Sequence, residues 1–187
     1  KQIAFNREEQ GTSNIDIFII DADGGNLTQL TDHKAVEQFP DWSPDGRKIT
    51  FQADRDEKGN VEIYVVDINA REVRRLTENP DTDQLPKWSP DGKQIAFVSD
   101  RTGNFELYIM DANGKDQRQL TKHKGSIWHS SWSPDGKKIA FAYNQDGNFE
   151  IYVMDTDGKN RYSLTSDPAA DRNPDWFDPT YAYKAVY

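Results

Sequence analysis

The stretch Trp88-Ser89-Pro90-Asp91-Gly92-Lys93-Gln94-Ile95-Ala96-Phe97 decides the fold, because most of it recurs along the chain. Trp-Ser-Pro-Asp-Gly also stands at residues 42–46 and 132–136, and Trp176-Phe177-Asp178-Pro179 is a degraded fourth copy. The segment after the turn recurs as Arg47-Lys48-Ile49-Thr50-Phe51 and at residues 137–141, and Lys1-Gln2-Ile3-Ala4-Phe5 repeats residues 93–97 letter for letter. A third element occupies residues 15–21, 61–67, 105–111 and 149–155. A fourth mark, Leu-Thr, falls at Leu30-Thr31, Leu76-Thr77, Leu120-Thr121 and Leu164-Thr165. The tryptophans Trp42, Trp88, Trp132 and Trp176 are 46, 44 and 44 residues apart. A period of about 40–45 residues belongs to four-stranded propeller blades.

Each unit reads as four strands. The first is short and ends on the Trp, with Pro-x-Trp at residues 40–42, 86–88 and 174–176. Ser-Pro-Asp-Gly makes a tight turn, since Pro presets φ and Asp and Gly suit the following positions. The second strand, as in Gln94-Ile95-Ala96-Phe97-Val98, is rich in residues that fit a pleated surface. The third is apolar on both faces, as in Phe105, Leu107, Tyr108, Ile109 and Met110, which suits a strand between two packed sheets. A turn such as Asp111-Ala112-Asn113-Gly114 leads to an outer strand that ends at Leu-Thr. The expectation is an all-β fold: a β-propeller of four repeats, each a four-stranded antiparallel blade. It forms a single domain over residues 1–187, with units at about 1–46, 47–92, 93–136 and 137–180 and a tail at 181–187.

Composition agrees. Of 187 residues, 35% are hydrophobic but 12% are aromatic, a mixture suited to short strands with polar turns and large anchors. Apolar runs at 3.6-residue spacing are missing, which excludes a helical domain. The net charge of −9 argues against nucleic acid and anionic membrane, which need a basic footprint. With no cysteine there are neither disulfides nor thiolate metal sites. No apolar run reaches the roughly 18 residues of a membrane span, and the sequence contains no signal peptide. A chain opening on Lys1 rather than Met is expected to be a processed or excised product.

Pro-x-Trp-Ser-Pro-Asp-Gly-Lys-x-Ile-Ala-Phe, followed by Ser-Asp-Arg and by Tyr-x-Met-Asp-x-x-Gly, resembles the repeat of the TolB propeller family, itself similar to WD repeats. The match covers nearly the whole chain. The resemblance implies a radial propeller with Trp near the centre and an extracytoplasmic protein, periplasmic or secreted. It also implies a protein or peptide partner, with a cell-envelope protein as the candidate.

The units are offset: the chain opens on a second strand and closes just after a first strand. If residues 173–177 pair beside residues 1–5, the C-terminal strand completes the N-terminal blade, and a closed four-bladed monomer results. The alternatives are a part of a larger ring or a dimer of two chains joined into an eight-bladed one. In the fourth copy Asp178-Pro179-Thr180 lacks the Gly, and Tyr181, Tyr183 and Tyr187 would pack outside the ring or meet a partner.

The Ser-Pro-Asp-Gly and Asp-x-x-Gly turns share one face and barely change between repeats, so that face reads as structural. The opposite face varies, and variable loops on a rigid scaffold carry binding. Four residues before each Trp stand Gln38, Gln84, Trp128 and Arg172, expected around the mouth of the central channel; one earlier come Glu37, Asp83, Ile127 and Asp171. With His129 they form a candidate binding funnel of hydrogen-bonding groups around one aromatic anchor, suited to a peptide segment or a small polar ligand. The bland alternative is that Glu37, Asp83 and Asp171 tie loops to backbone amides.

No cofactor or metal is expected. His33 and His123 read as exposed loop residues. Asp21-Ala22-Asp23-Gly24-Gly25-Asn26 and Asp155-Thr156-Asp157-Gly158-Lys159-Asn160 start like calcium loops but lack the Gly at the sixth position and the Glu at the twelfth, so turns capped by Asx side chains explain them. Asp54-Arg55 and Asp100-Arg101 suggest ion pairs or backbone bracing. No nucleophile elbow and no phosphate-cradling loop is present, which favours a non-enzymatic binding scaffold. The rivals are a glycan lyase or hydrolase using Glu37, Asp83, Asp171 and His129, and the non-catalytic propeller part of a larger peptidase.

Overall fold

Ser43, Ser89 and Ser133 show how the repeated turn is built. Each hydroxyl donates to the Asp two residues on, at 2.6, 2.7 and 2.6 Å. Each also accepts the backbone N–H of the residue that opens the next strand, at 2.9 Å in all three copies. The turn Gly follows at positive φ, 68° in Gly46, which a side chain disfavours. The same four residues therefore fold the same hairpin three times.

The computed structural model describes residues 1–8, 10–56, 59–145 and 147–177. These form fifteen strands: β1 (Gln2–Glu8), β2 (Ile15–Asp21), β3 (Thr28–Gln29), β4 (Glu37–Trp42), β5 (Lys48–Ala53), β6 (Glu62–Asp67), β7 (Val73–Arg75), β8 (Asp83–Trp88), β9 (Gln94–Ser99), β10 (Glu106–Asp111), β11 (Arg118–Gln119), β12 (Ser126–Trp132), β13 (Lys138–Asn144), β14 (Phe149–Asp155) and β15 (Tyr162–Ser163). They make four antiparallel sheets in the orders β1-β2-β3, β4-β5-β6-β7, β8-β9-β10-β11 and β12-β13-β14-β15. The chain is an all-β array of four propeller blades.

Blades pack through apolar faces. Ile17, Leu30, Ile49 and Phe51 join the first sheet to the second; Ile63, Leu76, Ile95 and Met110 join the second to the third; Leu107, Ile109, Ile139 and Met154 join the third to the fourth. Close approach fixes two turn residues as glycine: a Cβ on Gly114 or Gly158 would stand 2.6 or 2.7 Å from the carbonyl oxygen of Leu76 or Leu120 in the preceding blade. Across the second and third strands Phe51 faces Tyr64, Phe97 faces Tyr108 and Phe141 faces Tyr152, with ring centroids 5.6–6.0 Å apart.

The Leu-Thr mark has a physical job. Thr77 accepts the N–H of Ile63 at 2.9 Å and donates to Glu62; Thr121 does the same for Leu107 and Glu106, and Thr165 for Ile151 and Glu150. The Thr so satisfies a buried amide and a buried acid together. In the first blade the acid is the shorter Asp16, and Thr31 donates to Glu37 instead.

The expected closure does not occur among the described residues. The first sheet has three strands, and no ladder joins residues 173–177 to β1. Trp176 is held as an internal Trp is, its indole Nε1 donating to the Ser131 carbonyl at 3.1 Å as that of Trp132 does to Lys87. That bond sets Trp176 one blade-step past β12. The tail at 181–187 and the turn 178–180 lie outside the described residues.

Candidate functional site

Phe39, Leu85 and His129, and Asn173 after them, share an unusual backbone. All four sit three residues before the Trp and have positive φ, 54°, 57°, 44° and 56°. Phe, Leu and His pay for that geometry in strain, which is commonest where the backbone must aim side chains. In β4, β8 and β12 it produces a bulge: the register to the next strand shifts between Gln38 and Asp41, between Gln84 and Lys87, and between Trp128 and Ser130.

Asp41, Lys87 and Ser131 on the bulged strands, and Asp175 in the unpaired fourth copy, each just before a Trp, stand around one cleft of about 370 Å³, joined by His129 and Asn173. Trp88, Trp132, Pro90 and Pro174 supply its apolar walls. The four repeats thus converge on one place with an Asp, a Lys, a Ser and a second Asp. Lys87 Nζ donates to Asp41 Oδ1 at 3.1 Å, and the Trp88 N–H to Asp41 Oδ2 at 2.7 Å. Burial pushes the Asp41 carboxyl above its ordinary value, opposed by the positive charge of Lys87. Ser131 Oγ donates to Asp175 at 3.0 Å. Burial, aided by Lys87, lowers the pKa of His129, so its ring is neutral at pH 7. Ser130 Oγ and Trp88 Nε1, on residues that line the cleft, are buried without a hydrogen-bond partner.

Of the eight residues expected at the channel mouth, the cleft takes in His129. Glu37 and Asp83 are fully buried and engaged: Arg55 Nη2 lies 2.5 Å from Glu37, and Arg101 Nη2 lies 2.7 Å from Asp83. They serve the scaffold, which removes them as groups that could touch a ligand. The arginines that hold them lie over the Phe51/Tyr64 and Phe97/Tyr108 rings, and Asp54 and Asp100 brace the amides of Val36 and Thr82, so the Asp-Arg pairs are structural. Gln84 is buried, with Nε2 unbonded. Trp128 packs between Phe105 and His129, and Arg172 lies 4.6 Å over the Phe149 ring. Asp171 donates its N–H to the Phe149 carbonyl at 2.7 Å, matching Asp83 to Val61 and Ile127 to Phe105. Gln38 is half-buried on β4. Sequence reasoning missed Asp41, Lys87, Ser131 and Asp175; the signal was the residue before each Trp, which is Asp, Lys, Ser and Asp in turn.

His123 corrects the expectation of an exposed loop residue. Its side chain is 7% exposed, with Nδ1 3.1 Å from Glu106 and the ring 4.4 Å from that of Tyr143. The aspartate turns are Asx-capped: Asp23 and Asp157 accept the N–H two residues on at 2.9 Å, and Asn26 and Asn160 donate to Asp21 and Asp155. Among the described residues no cluster of three metal-binding side chains occurs, and no helix is long and apolar enough to cross a membrane.

Comparison with known proteins agrees with this geometry. The model of the TolB beta propeller domain matches residues 56–130, and that of the dipeptidyl peptidase IV N-terminal region matches residues 101–177. No curated protein matches the chain. Among solved structures, putative TolB from Agrobacterium tumefaciens is 26% identical with a TM-score of 0.80, over 88% of this chain and 61% of that one. TolB from Acinetobacter baumannii is 30% identical with a TM-score of 0.77, over 92% of this chain and 42% of that one. A puromycin hydrolase, 16% identical with a TM-score of 0.73, shares the fold. The chain is TolB-like in repeat and in fold, and it spans 61% and 42% of the two TolB chains it matches.

Proposed function

We propose that this chain is a non-enzymatic binding scaffold whose inner strands receive an extended segment of a protein partner. The observation that carries this reading is the convergence of Asp41, Lys87, Ser131 and Asp175 on one cleft: similar repeats place Asp, Lys, Ser and Asp at the position each directs there. A cleft with aromatic walls and a few polar side chains suits a peptide, which brings backbone hydrogen-bonding groups and side chains together. The net charge of −9 disfavours nucleic acid as the partner. An extracytoplasmic location and a cell-envelope partner go with this reading through the likeness to TolB.

A random peptide library displayed on phage tests it. Selected peptides should lose at least tenfold in affinity for Lys87→Ala and keep it for Lys93→Ala on the turn face. Peptides indifferent to Lys87→Ala would sink the proposal. The match to the dipeptidyl peptidase IV N-terminal region supports a second reading, the propeller part of a larger peptidase. Peptides bound at the cleft and cleaved only when a hydrolase domain is joined to the chain would favour it.

A further inference from the structure

The turn Asp111-Ala112-Asn113-Gly114 between β10 and β11 holds the one Asn-Gly pair of the sequence. An asparagine side chain is open to attack by the backbone nitrogen of the next residue, and glycine, having no Cβ, hinders that attack least. The same turn position holds Asp23 and Asp157 in the first and fourth blades, and Asn69, followed by Ala70, in the second. Asn113 is exposed, so water reaches it.

The turn already treats Asn113 as an aspartate. Its Oδ1 accepts the Lys115 N–H at 2.9 Å, as Asp23 Oδ1 accepts that of Gly25 and Asp157 Oδ1 that of Lys159, both at 2.9 Å. This bond needs an oxygen and no amide hydrogen, so a carboxylate at 113 keeps it. The backbone beside it is fastened to the preceding blade. Arg74 Nη1 donates to the Asn113 carbonyl at 2.8 Å, and a Cβ on Gly114 would stand 2.6 Å from the Leu76 carbonyl oxygen. Gln117 Nε2 bridges the carbonyls of Gly114 and Leu76, at 3.1 and 3.3 Å. The Gly114 N–H donates to the Asp111 carbonyl at 2.8 Å, with φ at 87°. The nitrogen that would attack is therefore bonded and fixed in place by the second blade.

We propose that Asn113 is a site of spontaneous deamidation, held in check by the junction between the second and third blades. The Gly114 nitrogen bonds to Asn113 Cγ and loses its proton, while the side-chain nitrogen takes one up and leaves as ammonia, closing a succinimide ring. Water, the sole co-reactant, then opens the ring, its hydroxyl going to carbon and its proton to the Gly114 nitrogen. Opening at Cγ leaves an aspartate with the backbone intact. Opening at the main-chain carbonyl leaves an isoaspartate, whose backbone runs through Cβ and Cγ and is one atom longer. Ring closure breaks the Gly114 bond to Asp111 and moves Gly114 from its seat on Leu76, so it proceeds from an opened junction. The aspartate product returns to the turn. In the isoaspartate the carbonyl that Arg74 holds becomes a free carboxylate, and the extra atom displaces Gly114 from Leu76. The inference is independent of the cleft and of what it binds.

Peptide mapping by tandem mass spectrometry after incubation at mildly alkaline pH tests it. Deamidation adds mass, whereas ring closure at the Asp-Gly pairs returns the mass unchanged, so the shift reads asparagine alone. In urea Asn113 should convert roughly tenfold faster than Asn69, whose follower carries a Cβ. Folding should slow Asn113 by roughly tenfold or more, and Arg74→Ala, which loosens the junction at an exposed side chain, should speed it again in folded protein. Far-UV circular dichroism checks that this variant folds, and Arg74→Gln replaces it if it does not. Asn113→Asp should melt as the wild type does, and the isoaspartate form, separated by chromatography, should melt lower. Asn113 converting no faster than Asn69 in urea, or equally fast folded and unfolded, overturns the inference. A rate unmoved in the folded Arg74 variant, or an Asn113→Asp protein that melts as low as the isoaspartate form, overturns it equally.

Discussion

Arg101 grips Asp83 through one guanidinium nitrogen, 2.9 and 2.7 Å from the two carboxylate oxygens, and Asp83 has no exposed surface. The same arginine stacks 4.8 Å over Tyr108 and bonds Gln117 at 2.9 Å. An acid at the rim of the blade is thereby made part of its frame. Removing one member of a buried pair strands the other, so Arg101→Ala should destabilise the fold by roughly 3–5 kcal/mol. Urea unfolding measures this. A loss below about 1 kcal/mol, the range of a surface pair, would contradict the buried role.

Thr77 is buried, takes the Ile63 N–H and gives its own proton to Glu62. Valine has the shape of threonine without the hydroxyl, so Thr77→Val leaves an amide and a carboxylate each short of a bond. A cost of about 1–3 kcal/mol is expected from unsatisfied buried groups. Differential scanning calorimetry with Thr102→Val as the exposed control gives the comparison, and the two melting shifts should differ clearly.

The turn aspartates Asp45, Asp91 and Asp135 have pKa values below the ordinary 3.8, first because of the neighbouring Ser hydroxyl and next because of a backbone N–H. A depressed folded value means stability that is complete above 3.8 and lost as pH falls through the lower folded value. The triple Asp→Asn variant should therefore show a flatter decline of stability on acidification below pH 4 than the wild type. Parallel acid limbs for the two proteins would refute the assignment.

His129 has its pKa lowered from 6.5, first by burial and second by Lys87. The unfolded chain then takes up the proton more readily, so His129 opposes folding increasingly as pH falls below 6.5. An NMR titration of the ring should give a midpoint under 6.5, and Lys87→Ala should raise it by removing the nearby charge. A midpoint unmoved by Lys87→Ala would show that the two do not face the same cleft.

The blades were legible in the residues because four separate marks kept one period, and each mark corresponds to a local device: a turn, a pleated pair or a Thr that bonds the acid 15 residues before it. The site was less legible for a definite reason. Counting back from Trp assumes strict alternation along the first strand, but Phe39, Leu85 and His129 adopt left-handed φ and insert a bulge. The side chain next to Trp then lines the cleft, while Glu37 and Asp83 turn inward to arginines 18 residues later in the chain. Nor does a period reveal whether the last Trp segment pairs with β1: Trp176 bonds the Ser131 carbonyl of β12, and no ladder joins residues 173–177 to β1.

The proposed function is tested most directly by mapping amide shift changes on ¹⁵N-labelled protein as a library-selected peptide is added. The account predicts that the largest changes fall on Asp41, Lys87, His129, Ser131 and Asn173, with the Ser-Pro-Asp-Gly turns at 43–46, 89–92 and 133–136 unmoved. Changes centred on those turns, with the cleft residues still, would contradict it.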